Sequence, residues 1–317
     1  MYKIAIIEEF HESGLELLKK HSNFEFEIIN DTSEENLIKK LPKFDGCTLR
    51  VSKLYSNVLK HCKKLKVISR HGVGYDNVDL EYIKKNNITL LITATTNALA
   101  VAEHVMYMIL SISKGITSHD HSVRTGLFKE GVKDIQTLEL FNKEILILGF
   151  GRIGKELIKR CQGFSMKINV FDPYVNSETI KSLGGKKITD LDKGLASADY
   201  VSLHIPLSEK TKNLLNYKKL KTMKKTAILI NTSRGGVINE MDLNKALNER
   251  LIFGAGLDVF EKEPVNLNNP LLKNKKILLS PHSATFTDEC KIRMAKQTVQ
   301  NIIDFFEKKI DKSMVVK

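Results

Sequence analysis

Three side chains of different chemistry follow apolar runs in the second half of this chain. Arg234 sits in NTSRGG (231–236), directly behind the apolar run 226–230. A guanidinium at a strand end can grip a carboxylate with two parallel hydrogen bonds. Acids follow the next run, in GLDVFEKEP (256–264), and His282 follows the last, in SPHSA (280–284). A histidine there can give and take a proton near neutral pH. A carboxylate on its other ring nitrogen would fix the tautomer and favour the protonated ring. Taken singly, Arg234 reads as a surface ion-pair arginine and His282 as a structural histidine. Taken as cation, acid and imidazole on successive strand ends, they read as one site that binds a carboxylate and exchanges a proton.

A second stretch, residues 146–172 (LILGFGRIGKELIKRCQGFSMKINVFD), supplies the frame. Leu146, Ile147 and Leu148 end an apolar run without alternation, the mark of a strand buried on both faces. GFGRIG follows, then a helix-forming run to about Cys161, a second strand over 167–171, and Asp172. This is the dinucleotide-binding order. Gly149 permits the tight turn, Gly151 lets backbone approach a pyrophosphate, and Gly154 lets helix and strand pack. The N–H groups at the helix start, around Arg152 and Ile153, face the phosphates. Asp172 would accept from the adenosine ribose hydroxyls and repel a 2′-phosphate, so NAD is the expected cofactor.

The elements that must carry these residues alternate along the chain. Strands are expected at 3–7, 24–29, 45–51, 65–69 and 88–92, with helices at 11–20, 33–40, 55–61 and 79–86 between them. Alternation at this spacing means a parallel sheet covered on both faces. A long apolar helix over 97–113 leads into the second unit, and the polar segment to Leu140 is expected to be an irregular arm. Seven strands near 145–148, 168–171, 187–189, 200–203, 226–231, 253–257 and 276–279 follow, and a last amphipathic helix covers 291–309. The fold class is therefore α/β with two doubly wound parallel sheets.

Composition limits the alternatives. With 317 residues there is room for two domains. The four cysteines (47, 62, 161 and 290) show no CxxC pair and read as reduced thiols, not zinc ligands. The start, MYKIAIIEEF, lacks a signal-peptide pattern, and no apolar run could span a bilayer, so a cytoplasmic protein without a membrane partner is expected. Net charge is +13, but the lysines are spread along the whole chain, so no nucleic-acid partner is expected. His119 and His121, two apart, fall on different helix faces, and no metal site is expected. No regulatory domain is expected after the last helix.

Seven motifs in order now carry a resemblance over nearly the whole chain: GVGYDNVD (72–79), NALAVAEH (97–104), GFGRIG, VSLHIPL (201–207), NTSRGGVIN, GLDVFEKEP and SPHSA. The chain resembles the D-2-hydroxyacid dehydrogenases, the group containing phosphoglycerate dehydrogenase and glyoxylate/hydroxypyruvate reductase. That resemblance implies that His282 exchanges the proton with the C2 oxygen, Glu263 pairs with His282, and Arg234 binds the carboxylate and polarises the carbonyl. It implies that Val73 and Gly74 offer backbone N–H groups to the carboxylate, with Asn97 beside it. Thr232 and Asp258 would line the nicotinamide region, and His204, Pro206 and Thr211 the adenosine side. It further implies a substrate domain of 1–97 plus 284–317, a dinucleotide domain of 98–283, a hinge near Asn97 and Ser283, and a homodimer held by the arm around 100–140.

The loop after the third strand departs from the phosphoglycerate enzymes, where two arginines commonly stand one residue apart. Here Arg50 matches the first, Ser52 replaces the second, and Lys53 is close by. His71 is a further cation candidate, and with Arg50, Lys53 and Arg70 it could form a basic rim for a phosphate. On that rim, 3-phosphoglycerate leads narrowly over glyoxylate or hydroxypyruvate as substrate. An NADH-sensing corepressor on the same fold is the rival from another class.

Overall fold

The computed structural model describes residues 1–316. The chain divides into two compact units, Met1–Asn97 with the segment from Thr285, and Ala98–Ala284.

The first unit runs β1 (Tyr2–Ile7), α1 (Glu12–Lys19), β2 (Phe24–Ile29), α2 (Glu34–Lys40), β3 (Gly46–Leu49), α3 (Ser56–Leu59), β4 (Val67–Arg70), α4 (Leu80–Lys85) and β5 (Thr89–Ile92). Its sheet is parallel, in the order β2-β1-β3-β4-β5. Along β1, Ala5 and Ile7 enter one apolar core and Ile4 and Ile6 the other. A strand covered on both faces needs apolar residues at every position, which is why these strands show no alternation. The helix expected over 55–61 is a single turn, α3.

The second unit opens with α5 (Ala98–Lys114) and α6 (Ile116–Arg124). The segment expected to be irregular thus contains a helix. Gly115, at φ +60°, separates the two helices in the left-handed region, and their axes bend by 59°. A polar sequence hides this helix, which is helped by an Asp120–Arg124 pair 2.7 Å apart, four residues along. Among the described residues, no single helix is long and apolar enough to cross a membrane. The unit continues with β6 (Glu144–Leu148), α7 (Arg152–Gly163), β7 (Lys167–Phe171), α8 (Ser177–Ser182), β8 (Lys186–Lys187), α9 (Leu191–Ser197), β9 (Tyr200–Leu203), α10 (Tyr217–Leu220), β10 (Ile228–Asn231), α11 (Glu240–Asn248), β11 (Gly254–Leu257) and β12 (Ile277–Leu279). The parallel order is β12-β11-β10-β9-β6-β7-β8, so strand order reverses between β6 and β9. Ligands of such sheets bind outside the strand carboxyl ends at that reversal. The final helix, α12 (Asp288–Phe306), belongs to the first unit and packs on α1.

All four cysteines are buried and free. Burial pushes the thiols up, Cys62 to about 11 and Cys161 to about 12, so they hold their protons at neutral pH.

Candidate active site

The dinucleotide stretch closes around the reversal point. Gly149 has φ +93°, and a Cβ there would stand 2.4 Å from the His204 carbonyl oxygen. Only glycine fits, because β6 and β9 are neighbours and their continuations nearly touch. A Cβ on Gly154 would meet the Gly149 oxygen at 2.6 Å, which sets how closely α7 packs on the loop. Gly151 differs: nothing lies within 4 Å of its Cβ position, so its face is open. Among the described residues the N–H groups of Arg152 and Ile153, in the first turn of α7, find no acceptor. Asp172 follows β7 with its carboxylate turned to the loop, accepting from Phe150 N at 2.7 Å and Tyr174 N at 2.8 Å. Thr232 Oγ1 is buried without a hydrogen-bond partner, as is His204 Nδ1. A dinucleotide fits these features: an open glycine face, free helix-start donors and orphaned polar atoms along the same sheet edge.

Other residues expected on the adenosine side serve the loop itself. Thr211 Oγ1 donates to Pro206 O at 2.6 Å and accepts from Ser208 N at 2.8 Å. Burial pushes the His204 ring down to about 3, so it is neutral.

Strands β10, β11 and β12 end level: Asn231 pairs with Leu257, and Leu257 with Leu279. The loops of Arg234, Glu263 and His282 therefore leave one edge at one height. His282 Nδ1 lies 2.7 Å from Glu263 Oε2, while Glu263 Oε1 accepts from Phe260 N at 3.0 Å. Burial alone would raise the Glu263 carboxyl. The hydrogen bond from His282, the Phe260 N–H and the charges of His282 and Arg234 outweigh it and hold the group below the usual carboxylate range. Both side chains remain partly open, His282 at 52% and Glu263 at 38%.

Sequence patterns do not reveal what braces these loops. Asn231, 2% exposed, accepts from Ser233 N and Oγ and donates to Arg234 O at 2.9 Å, folding the Arg234 turn. A Cβ on Gly235 would fall 1.8 Å from Phe260 O, so the Arg234 and Glu263 loops are pressed backbone to backbone. The carboxylate of Glu240, buried at the start of α11, accepts from Glu261 N, and that of Glu261 accepts from Glu240 N. Asp258, 1% exposed, lies under the His282 turn and accepts from Ser280 Oγ, Ser283 N and Ala284 N. His282 itself has φ +52°. A non-glycine residue in that region costs about 1–3 kcal/mol and persists only where its surroundings over-determine it. Asp258 does so by holding the turn on both sides of His282. The one signal in the sequence is the pair of serines flanking Pro281-His282.

Residues 106–284 match the NAD-binding domain of D-isomer specific 2-hydroxyacid dehydrogenases. The chain belongs to that family. Within it, the chain is 36% identical over 324 residues to a glyoxylate reductase of Thermococcus litoralis, covering 99% of this chain and 97% of the relative. It is 34% identical over 290 residues to a D-3-phosphoglycerate dehydrogenase of Methanocaldococcus jannaschii, covering 91% of this chain and 54% of the relative. The chain thus spans little more than half the length of the phosphoglycerate dehydrogenases it matches. In structure it is similar to the TT0316 protein of Thermus thermophilus, with TM-score 0.89, 28% identity, and 99% and 100% of the two chains covered. The second unit is the NAD-binding domain of the family.

In the first unit, Val73 and Gly74 follow β4 at its carboxyl end. Among the described residues neither N–H donates to an acceptor, so the pair is available to an anion. Asn97 closes the first segment of the unit, half-buried ahead of α5. The expected basic rim is not four cations. Arg70 points back into its own loop, donating to Asn77 Oδ1, Leu49 O and His71 O. His71 is not a cation at all: burial, then the charges of Arg50 and Arg70, push it down to about 3. Its ring stacks on Phe10 at 5.2 Å, and Nδ1 lies 3.0 Å from Thr298 Oγ1. Arg50 donates through Nη1 to Glu9 O at 2.6 Å, and Lys53 is exposed.

Proposed function

We propose that this protein is an NAD-dependent oxidoreductase that moves a hydride between nicotinamide and C2 of a small D-2-hydroxy acid or its 2-oxo acid. The observation that carries the reading is the His282–Glu263 pair at 2.7 Å, on loops leaving the same sheet edge as Arg234. In this reading Arg234 binds the substrate carboxylate, aided by the Val73 and Gly74 N–H groups with Asn97 beside them. Glu263, ionised, holds the Nδ1–H of His282. The opposite nitrogen is then the one that passes its proton to the C2 oxygen as negative charge grows there. NAD, when bound, supplies the hydride acceptor or donor, and Asp172 favours it over the 2′-phosphorylated form.

A small 2-oxo acid such as glyoxylate or hydroxypyruvate leads, because two members of the expected basic rim are withdrawn. 3-Phosphoglycerate is the second reading, favoured by the side chains of Arg50 and Lys53. The proposal includes a homodimer through the arm, where Ile116, Val123, Leu127, Phe128 and Phe141 are exposed apolar residues, and a cytoplasmic location. The test is a panel of 2-oxo acids assayed with NADH and with NADPH, alongside 3-phosphoglycerate with NAD. Turnover of glyoxylate or hydroxypyruvate with NADH is the expected result. Tight NADH binding without turnover of any 2-oxo acid would favour a cofactor-sensing role instead.

A further inference from the structure

Helix α5 is apolar along its inner side, yet it carries one imidazole whose side chain is only 15% exposed, that of His104. Its Nε2 lies 2.9 Å from Ser280 Oγ and 3.6 Å from Asp258 Oδ1. Ser280 has a single hydroxyl hydrogen, and that hydrogen is directed to Asp258 Oδ1 at 2.5 Å. Ser280 can therefore only accept from His104, which must carry its proton on Nε2. The tautomer follows from counting donors. Burial outweighs the Asp258 charge and lowers the affinity of His104 for a second proton, in keeping with a neutral ring. The Tyr107 ring, 5.4 Å away on the same helix, holds the imidazole in place.

Resting on the activity proposed above, we propose that His104 is a positioning residue: through Ser280 and Asp258 it locks the turn that holds His282 against Glu263. Asp258 grips Ser280 on one side of His282, and Ser283 N and Ala284 N on the other. That grip keeps His282 at φ +52°, a conformation it would not hold unaided. The Ser280 oxygen is fixed from two sides, accepting from His104 Nε2 and donating to Asp258 Oδ1. Without that donor Ser280 Oγ is held by Asp258 alone, its position is no longer fixed from the α5 side, and the turn can shift. His282 then swings from Glu263 while the glycine loop of the cofactor site is untouched.

The expected signature is a loss of turnover without a loss of cofactor affinity. His104→Leu fills the space but donates nothing. It should lower kcat on the order of 10- to 100-fold, as a misplacement near 1 Å does, with the NADH dissociation constant within about twofold. His104→Gln places an amide N–H where Nε2 stands and should restore kcat to within about threefold of the wild type. Wild-type turnover in His104→Leu, or a glutamine variant as slow as the leucine variant, would overturn the proposal. If His104→Leu does not fold, Ser280→Ala removes the same link and should show the same separation of kcat from NADH affinity; unchanged kcat there overturns it equally. Imidazole NMR reads the linkage without turnover, so it stands apart from the assigned reaction. His104 should show the Nε2–H tautomer, and the His282 resonances should move in His104→Leu but not in His104→Gln. His282 resonances that ignore both variants would sink the positioning role even in an active enzyme. A shift in a protein inert toward every 2-oxo acid would instead overturn the activity and leave the linkage standing.

Discussion

Two histidines end parallel strands in this molecule and have opposite chemistry. His282 follows β12 and His71 follows β4; each uses Nδ1 for a side-chain contact of about hydrogen-bond length. The partner of His282 is the Glu263 carboxylate, and half of its side chain is open. The partner of His71 is a threonine hydroxyl, its ring is stacked on Phe10, and two arginine charges face it. Thr298 passes its own hydroxyl hydrogen to Met294 O at 2.7 Å, so it can only accept from His71. The first ring has a carboxylate partner and an open face, and the second is held neutral. Position in a fold nominates a histidine; its neighbours decide whether it can do acid–base work.

The widest separation should come from deleting each ring. His282→Ala should lower kcat by about 10²- to 10⁴-fold, the usual worth of a positioned proton donor. His71→Ala should change kcat by less than about tenfold, and its effect should appear mainly in the melting temperature. Steady-state NADH oxidation with the best 2-oxo acid measures the first, and thermal unfolding the second. Equal losses of kcat would erase the contrast between the two rings.

A smaller effect should appear in the pH dependence of stability. Glu263 is held below its ordinary value of 4.5 in the folded chain. A depressed folded value means that its contribution is fully present above pH 4.5 and is lost as pH falls through the lower folded value. Urea unfolding of wild type and Glu263→Gln should therefore differ by a constant amount near neutral pH and converge in acid. Curves that stay parallel down to about pH 3 would show that the carboxylate gains nothing from His282 on folding.

A last expected change concerns the first unit. Arg50→Ala should raise KM for 3-phosphoglycerate by more than about tenfold, and KM for hydroxypyruvate by much less, if the remaining rim cations bind a phosphate. Equal shifts in both would leave the carboxylate as the only anion that this loop reads.

Much of the frame is legible along the chain because it rests on local rules. Buried parallel strands must be apolar throughout, so β1 and β6 announce themselves. The glycines of GFGRIG answer to backbone sterics at Gly149, where φ is +93°. Helix α6 escapes notice because a polar nine-residue helix has no apolar period to read. The rim is overestimated because a side chain's formal charge does not say where it points or what surrounds it; Arg70 bends back on its own loop, and His71 sits beside like charges.

Sequence alone determined the alternation of strands and helices outside α6, the cofactor loop and the three residue types at the sheet edge, since these follow from periodicity, glycine sterics and the spacing of motifs. Tertiary structure alone decided that Glu263 faces His282, that His71 stays neutral, and that His104, Ser280 and Asp258 brace the turn between them. Those outcomes depend on distances between residues far apart along the chain, and proton affinities are set by such neighbours and by burial rather than by sequence position.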